Sequence, residues 1–195
     1  MANASIALVE TSDVFTLMRA KWFSNKFGIP ENESYAHYGK TADSVVKVTL
    51  KNFYPNLEFL PAKMAKAFPE ESIQLDKTIS FKGRLPEQGS QVKMEGKAPE
   101  FLLLIHEITL GTDLDKNAFF DYALKQNEMD LHKPVEKISV ILTFTLWDNI
   151  RQRPLYSAVL EEHIPVKTAP KTDDVETILT SIISKIPFEI AKGAK

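Results

Sequence analysis

The pair His106–Glu107, set inside "FLLLIHEITL" (residues 101–110), invites a chemical reading: an imidazole beside a carboxylate can serve as an oriented general base or supply two metal ligands. The local spacing argues against both. The segment reads as a strand, in which side chains alternate. His106 is therefore expected on one face with Leu102, Leu104, Ile108 and Leu110, and Glu107 on the other with Phe101, Leu103, Ile105 and Thr109. Neighbours that point apart cannot act as a pair. The zinc-protease helix signature His-Glu-x-x-His fails as well, because Leu110 stands where the second imidazole belongs. The expectation is a central strand, buried on both faces in its first half and emerging in its second. His37, His132 and His163 do not lie two, three or four residues from another histidine, so no local metal site is read; His106 and His163 could meet only if their strands were neighbours.

Three further stretches imitate known sites and fall short of them. "YGKT" (38–41) resembles the end of a phosphate-binding loop, but Ser34 occupies the place of the first glycine, and Thr41 reads better as a helix N-cap. "DLDKNA" from Asp113 has the first oxygen ligands of a calcium loop, yet Ala118 replaces the turn glycine and Leu124 the bidentate glutamate. Gly-x-Ser-x-Gly and Gly-x-Gly-x-x-Gly are both missing, and there are no cysteines, which excludes disulfides, thiolate metal sites and a cysteine nucleophile in these residues. No catalytic, cofactor-binding or metal-ligating residues are assigned, and the expected function is non-enzymatic. The one binding candidate is aromatic: Phe119, Phe120 and Tyr122 form either an exposed partner-binding patch or a cover for one end of the sheet.

The elements that must carry these residues give an α+β class over one domain, residues 1–195. The expectation is a mostly antiparallel sheet of about 4–6 strands with two or three helices packed on it. Ser5–Glu10 is a candidate first strand. Ser12-Asp13 then offers a cap for a helix through Val14, Leu17, Met18 and Trp22, stopping at Phe27-Gly28. "FGIPENES" (27–34) reads as a loop. A second helix is expected from Thr41, with Ala42, Val45, Val46, Thr49, Leu50 and Phe53 on one face until Pro55, and a short third around Ala62–Phe68. The β-branched "VVKVTL" keeps a strand reading open for the second helix.

Ile73, Leu75, Ile79 and Phe81 suggest extended chain before the turn-rich "GRLPEQGSQ" (83–91), whereas residues 111–134 read as a long loop. Ile138, Val140, Leu142, Phe144 and Leu146 alternate cleanly, and Tyr156, Ala158, Leu160 and Ile164 resume the pattern after "DNIRQRP". Apolar matching fixes the hairpin register: Leu146 opposite Tyr156, Phe144 opposite Ala158, Leu142 opposite Leu160. Last, Val175, Ile178, Leu179, Ile182, Ile183 and Ile186 form a single helical stripe, with Asp173 and Glu176 as a capping box and Pro187 beyond the end.

Composition narrows the partners. The 24 basic and 26 acidic residues nearly cancel and form no block of one sign, so no nucleic-acid groove or polybasic membrane patch is read. The longest uninterrupted apolar run is Phe101–Ile105, far short of the ~20 residues that span a bilayer. The opening "MANASIALVE" has no basic region followed by an apolar one, as a secretory signal would.

Taken together, "SIALVETSDV", "EFLLLIHEITLG", "SVILTFTLWDNIRQRPLYSAVLEEHIPV" and "VETILTSIISKIPFEI" resemble the soluble part of bacterial cell-envelope lipoproteins, in particular the TolB N-terminal domain and related outer-membrane assembly factors. The similarity covers about the last half of the chain plus the first strand. Ser157 departs from it, standing where a glycine is expected after Tyr156, and no lipobox cysteine is present. The resemblance implies a periplasmic module, tethered by a lipid anchor upstream of these residues, that binds another envelope protein. It brings no catalytic residues and no cofactor. The alternatives are a cytoplasmic protein and, in function, a carrier of a small apolar ligand or lipid between sheet and helices.

Overall fold

The computed structural model describes residues 5–9, 14–55, 57–60, 66–93, 96, 98–112, 136–166 and 170–187. Among these residues, eight strands and three helices follow one another as β1 (Ile6–Val9), β2 (Phe15–Leu17), α1 (Ala20–Phe27), α2 (Glu31–Phe53), β3 (Glu58–Leu60), β4 (Glu70–Gln74), β5 (Ser80–Arg84), β6 (Phe101–Thr112), β7 (Lys137–Asp148), β8 (Arg153–Pro165) and α3 (Thr172–Ser184). Six strands make one mixed sheet in the order β3-β1-β6-β7-β8, with β2 paired to the far half of β6; β4 and β5 form a separate hairpin. The fold is the expected α+β class. Antiparallel pairing dominates by length: β6, β7 and β8 pair along nearly their whole extent, whereas the parallel ladders of β1 and β2 span three residues each.

The long hairpin has the register that apolar matching requires. Leu142 lies opposite Leu160, Phe144 opposite Ala158, and Leu146 opposite Tyr156. Its even-numbered apolar residues, Ile138 through Leu146, join Phe101, Leu103, Ile105, Ile108 and Leu110 in the main core, against which the helices pack. Helix α3 contributes Val175, Ile178, Leu179, Ile182 and Ile183 of the expected stripe, and Ile186 follows just past its end, all 4% exposed or less. Its cap differs from the expected one. The backbone N–H of Lys171 donates to Asp174 Oδ2 at 2.8 Å, so the helix starts before Asp173 rather than being capped by it.

Two helix boundaries depart from the sequence reading. Residues 15–17 are a strand, not the first turn of a helix: they pair in parallel with Ile108–Leu110, a partner too distant in sequence for local spacing to reveal. Arg19, at φ 58°, makes the left-handed break that lets α1 begin at Ala20. The stop at Gly28 is as expected, with φ 73° and its N–H bonded to Ser24 O. Helix α2 begins at Glu31, ten residues before Thr41. Pro30 sits extended ahead of it, and Glu31 and Glu33 complement the first turn's dipole. Thr41 is therefore not a cap; its Oγ1 donates to His37 O one turn back. The buried stripe Ser34, Tyr38, Ala42, Val46, Leu50 advances by four residues at each step. Phe53, expected on that face, is 57% exposed.

Tyr38 presents a test of this packing. Its ring is fully buried among Phe23 and Phe27, and its hydroxyl has no hydrogen-bond partner among the described residues. Burial pushes its pKa up to about 12. Since that hydroxyl loses water without gaining a partner, Tyr38→Phe is expected to leave stability unchanged or raise it by up to about 1 kcal/mol, read as an increased urea midpoint. A clear loss of stability would show that the hydroxyl is satisfied.

Candidate functional site

The centre of β6 is where the structure most changes the sequence reading. Ile105 lies opposite Phe144 and Glu107 opposite Thr143, so the ladder shifts and His106 is an extra residue in a β-bulge. A bulge inserts one residue and resets the alternation. Ile108 and Leu110 thus rejoin Phe101, Leu103 and Ile105 in the main core, while Leu102 and Leu104 line the opposite face in a second cluster with Ala7, Ile73, Leu85, Val92 and Trp147. His106 reaches Thr145 on that second face, and Glu107 lies opposite Thr143 there too. The expectation that residues 106 and 107 project to opposite sides is therefore wrong: strict alternation fails at the inserted residue.

The polar groups on this face form a ladder across three strands. His106 Nε2 and Thr145 Oγ1 are 2.9 Å apart, and Thr145 Oγ1 and Ser157 Oγ are also 2.9 Å apart. Next to them, Thr109 Oγ1 donates to Glu107 Oε1 at 2.6 Å. The β4–β5 hairpin lies over the imidazole. The Phe81 ring centroid is 5.4 Å from that of His106, and Gly83 packs so closely that a Cβ there would fall 2.8 Å from Nδ1 and 2.6 Å from Ile73 Cδ1. Desolvation in this setting pushes the His106 pKa down to about 4. A base that weak is poorly matched to proton abstraction at neutral pH. Ser157 is also separated from it by the Thr145 hydroxyl, so the trio lacks the direct contact between nucleophile and base that acyl transfer uses. The arrangement ties β6, β7 and β8 together across a bulge.

The other sequence-derived candidates do not converge here. His163 lies opposite Ser139, six residues along β7 from Thr145, or about 20 Å of strand. His106 and His163 are thus on nearby strands but at different heights. Among the described residues, no group of three or more His, Asp or Glu side chains could hold a metal ion. Phe119, Phe120 and Tyr122, the "DLDKNA" stretch and His132 lie outside the described residues, as does most of the proposed helix at 62–68.

A cleft that the sequence reading missed lies on the outside of the helical layer. Its volume is about 470 Å³, and His37, Lys40, Ser44 and Val48 of α2 face Glu176 and Thr180 of α3 across it. Recognising it requires α2 to start before residue 37, which the loop reading of 27–34 concealed. At the hairpin turn, Asn149 forms a second feature that spacing alone did not disclose. Its Oδ1 accepts from Val92 N at 2.8 Å, and its Nδ2 donates to Val92 O at 2.9 Å and Pro99 O at 2.8 Å, all away from water.

No helix among the described residues is long and apolar enough to cross a membrane. No protein-family model matches the chain, and no curated protein does. Among solved structures, the chain is similar to a PelC dodecamer from Paraburkholderia phytofirmans (14% identity, TM-score 0.41, covering 97% of this chain and 91% of that one). It is also similar to a putative neuraminyllactose-binding hemagglutinin homolog from Helicobacter pylori (12% identity, TM-score 0.42, covering 100% of this chain and 84% of that one). At such TM-scores these likenesses carry no weight for fold or function.

Proposed function

We propose that this chain is a non-enzymatic binding or assembly module of the bacterial cell envelope, the folded part of a lipid-anchored periplasmic protein that contacts another envelope protein. The observation that carries the non-enzymatic part is the fate of the His106–Glu107 pair. His106 is spent on Thr145 beneath Phe81 and Gly83, and Glu107 on Thr109. The similarity of the hairpin and the closing helix to envelope lipoproteins supports the location. Apolar side chains left outside, among them Tyr35, Val48 and Phe53 at 54%, 58% and 57% exposure, are available for contact with a partner.

The test is metabolic labelling of the full-length gene product with a tagged fatty acid, followed by membrane fractionation. The expected result is an acylated protein in the membrane fraction, with the label lost when the cysteine of the upstream leader is replaced. An unlabelled protein recovered with the cytoplasm overturns the reading.

A further inference from the structure

Strand β8 closes one side of the six-stranded sheet: β7 pairs with one of its edges, and among the described residues no strand pairs with the other. An edge of 13 residues is a template for adding another strand unless the sequence blocks it. Here the blocking is confined to the ends. Pro154, Pro165 and a bulge at Leu155, between the pairs Leu146–Tyr156 and Trp147–Pro154, interrupt the termini. Between them, Tyr156–Leu160 ("YSAVL") carries no charge, glycine or proline. Tyr156 and Leu160 are only half-buried on the helix side, and Val159 is 36% exposed on the other. The flanking charges have opposite sign: Arg153 comes before this run, and Glu161 and Glu162 follow it. Arg153 is exposed and has no ion-pair partner among the described residues, whereas Glu162 is paired with Lys185 of α3.

We infer that β8 pairs antiparallel with β8 of a second copy of this chain, about a two-fold axis through Ala158. In that register Tyr156 lies opposite Leu160 of the other copy, and Ser157 opposite Val159. The bulge at Leu155 absorbs one residue, so Arg153 comes opposite Glu162, whose carboxylate it would share with Lys185 and Ser181 of α3. The two-fold axis forms each of these contacts twice. Parallel pairing would instead set Arg153 against Arg153 and the acidic pair against itself. The polarity of the edge thus selects both the partner and the direction, as β-augmentation with charge complementarity. This interface is independent of the envelope reading.

The test is sedimentation velocity of the whole 195-residue chain over a wide range of concentration. A reversible dimer is expected. Arg153→Glu, at an exposed position, is expected to weaken it roughly tenfold or more by setting like charges together at both ends, while leaving the circular dichroism spectrum unchanged. Arg153→Lys, which keeps the positive charge, is expected to retain the dimer. A chain that remains monomeric throughout overturns the inference, including one that instead takes up a strand from another protein. So does a dimer unmoved by Arg153→Glu, or one weakened equally by Arg153→Lys.

Discussion

Replacing His106 with glutamine is expected to flatten the dependence of stability on pH below neutrality. Burial under the β4–β5 hairpin lowers the folded pKa of this imidazole from 6.5 to about 4. Between those values the unfolded chain binds a proton that the folded chain refuses, so stability rises with pH through this window and falls as pH drops. The contribution is fully present above pH 6.5 and is lost as the pH falls to about 4, a loss of about 3 kcal/mol. Structurally, a proton on the ring would put a charge beside Phe81, Gly83 and Ile73, with the Thr145 hydroxyl as its one hydrogen-bond partner among the described residues. Glutamine can keep a polar contact to Thr145 without titrating. Urea denaturation at pH 7 and pH 4 should therefore show the native chain losing about 3 kcal/mol more than His106→Gln across the interval. Equal losses would mean that the imidazole titrates normally in the fold.

The second large effect is expected at Asn149. Its amide makes three hydrogen bonds that replace water for the backbone of Val92 and Pro99, and the residue is fully buried. Alanine would leave those peptide groups stranded, at roughly 1–3 kcal/mol for each group that finds no new partner. A loss of about 3–5 kcal/mol follows if two of them stay unpaired. The backbone bond from Asn149 N to Glu100 O remains, so the turn itself should persist while the segment on the β6 side loosens. Amide hydrogen exchange separates the two outcomes. Val92 N–H should exchange faster in Asn149→Ala by the same free energy that denaturation reads, whereas unchanged protection would show that the amide's bonds contribute little.

What the sequence disclosed was local or periodic. The stripe of α3 can be read because one face of a long helix must be apolar, and the β7–β8 register because adjacent strands joined by a short turn have few apolar ways to pair. What it concealed depended on partners distant in the chain. Phe15–Leu17 satisfy helical spacing but are drawn into a strand by β6, more than ninety residues away. The bulge at His106 exists only because β7 fixes Phe144 opposite Ile105 and Thr143 opposite Glu107. Nothing in "FLLLIHEITL" alone marks the inserted residue. Because of that single insertion, the alternation that correctly placed Leu102 and Leu104 on one face misplaced Ile108 and Leu110. Gly83 gave no signal either: its lack of a side chain matters only once the imidazole is beneath it.

His106 is a neutral, packed imidazole in this fold rather than a working base. An NMR pH titration of its ring resonances in the intact folded chain tests this directly. The expected result is a ring that stays neutral through pH 6.5 and gains its proton only near pH 4, with a contact to Thr145 that persists above that point. A midpoint at or above the ordinary histidine value would contradict it, and would return residues 106 and 107 to consideration as a catalytic pair.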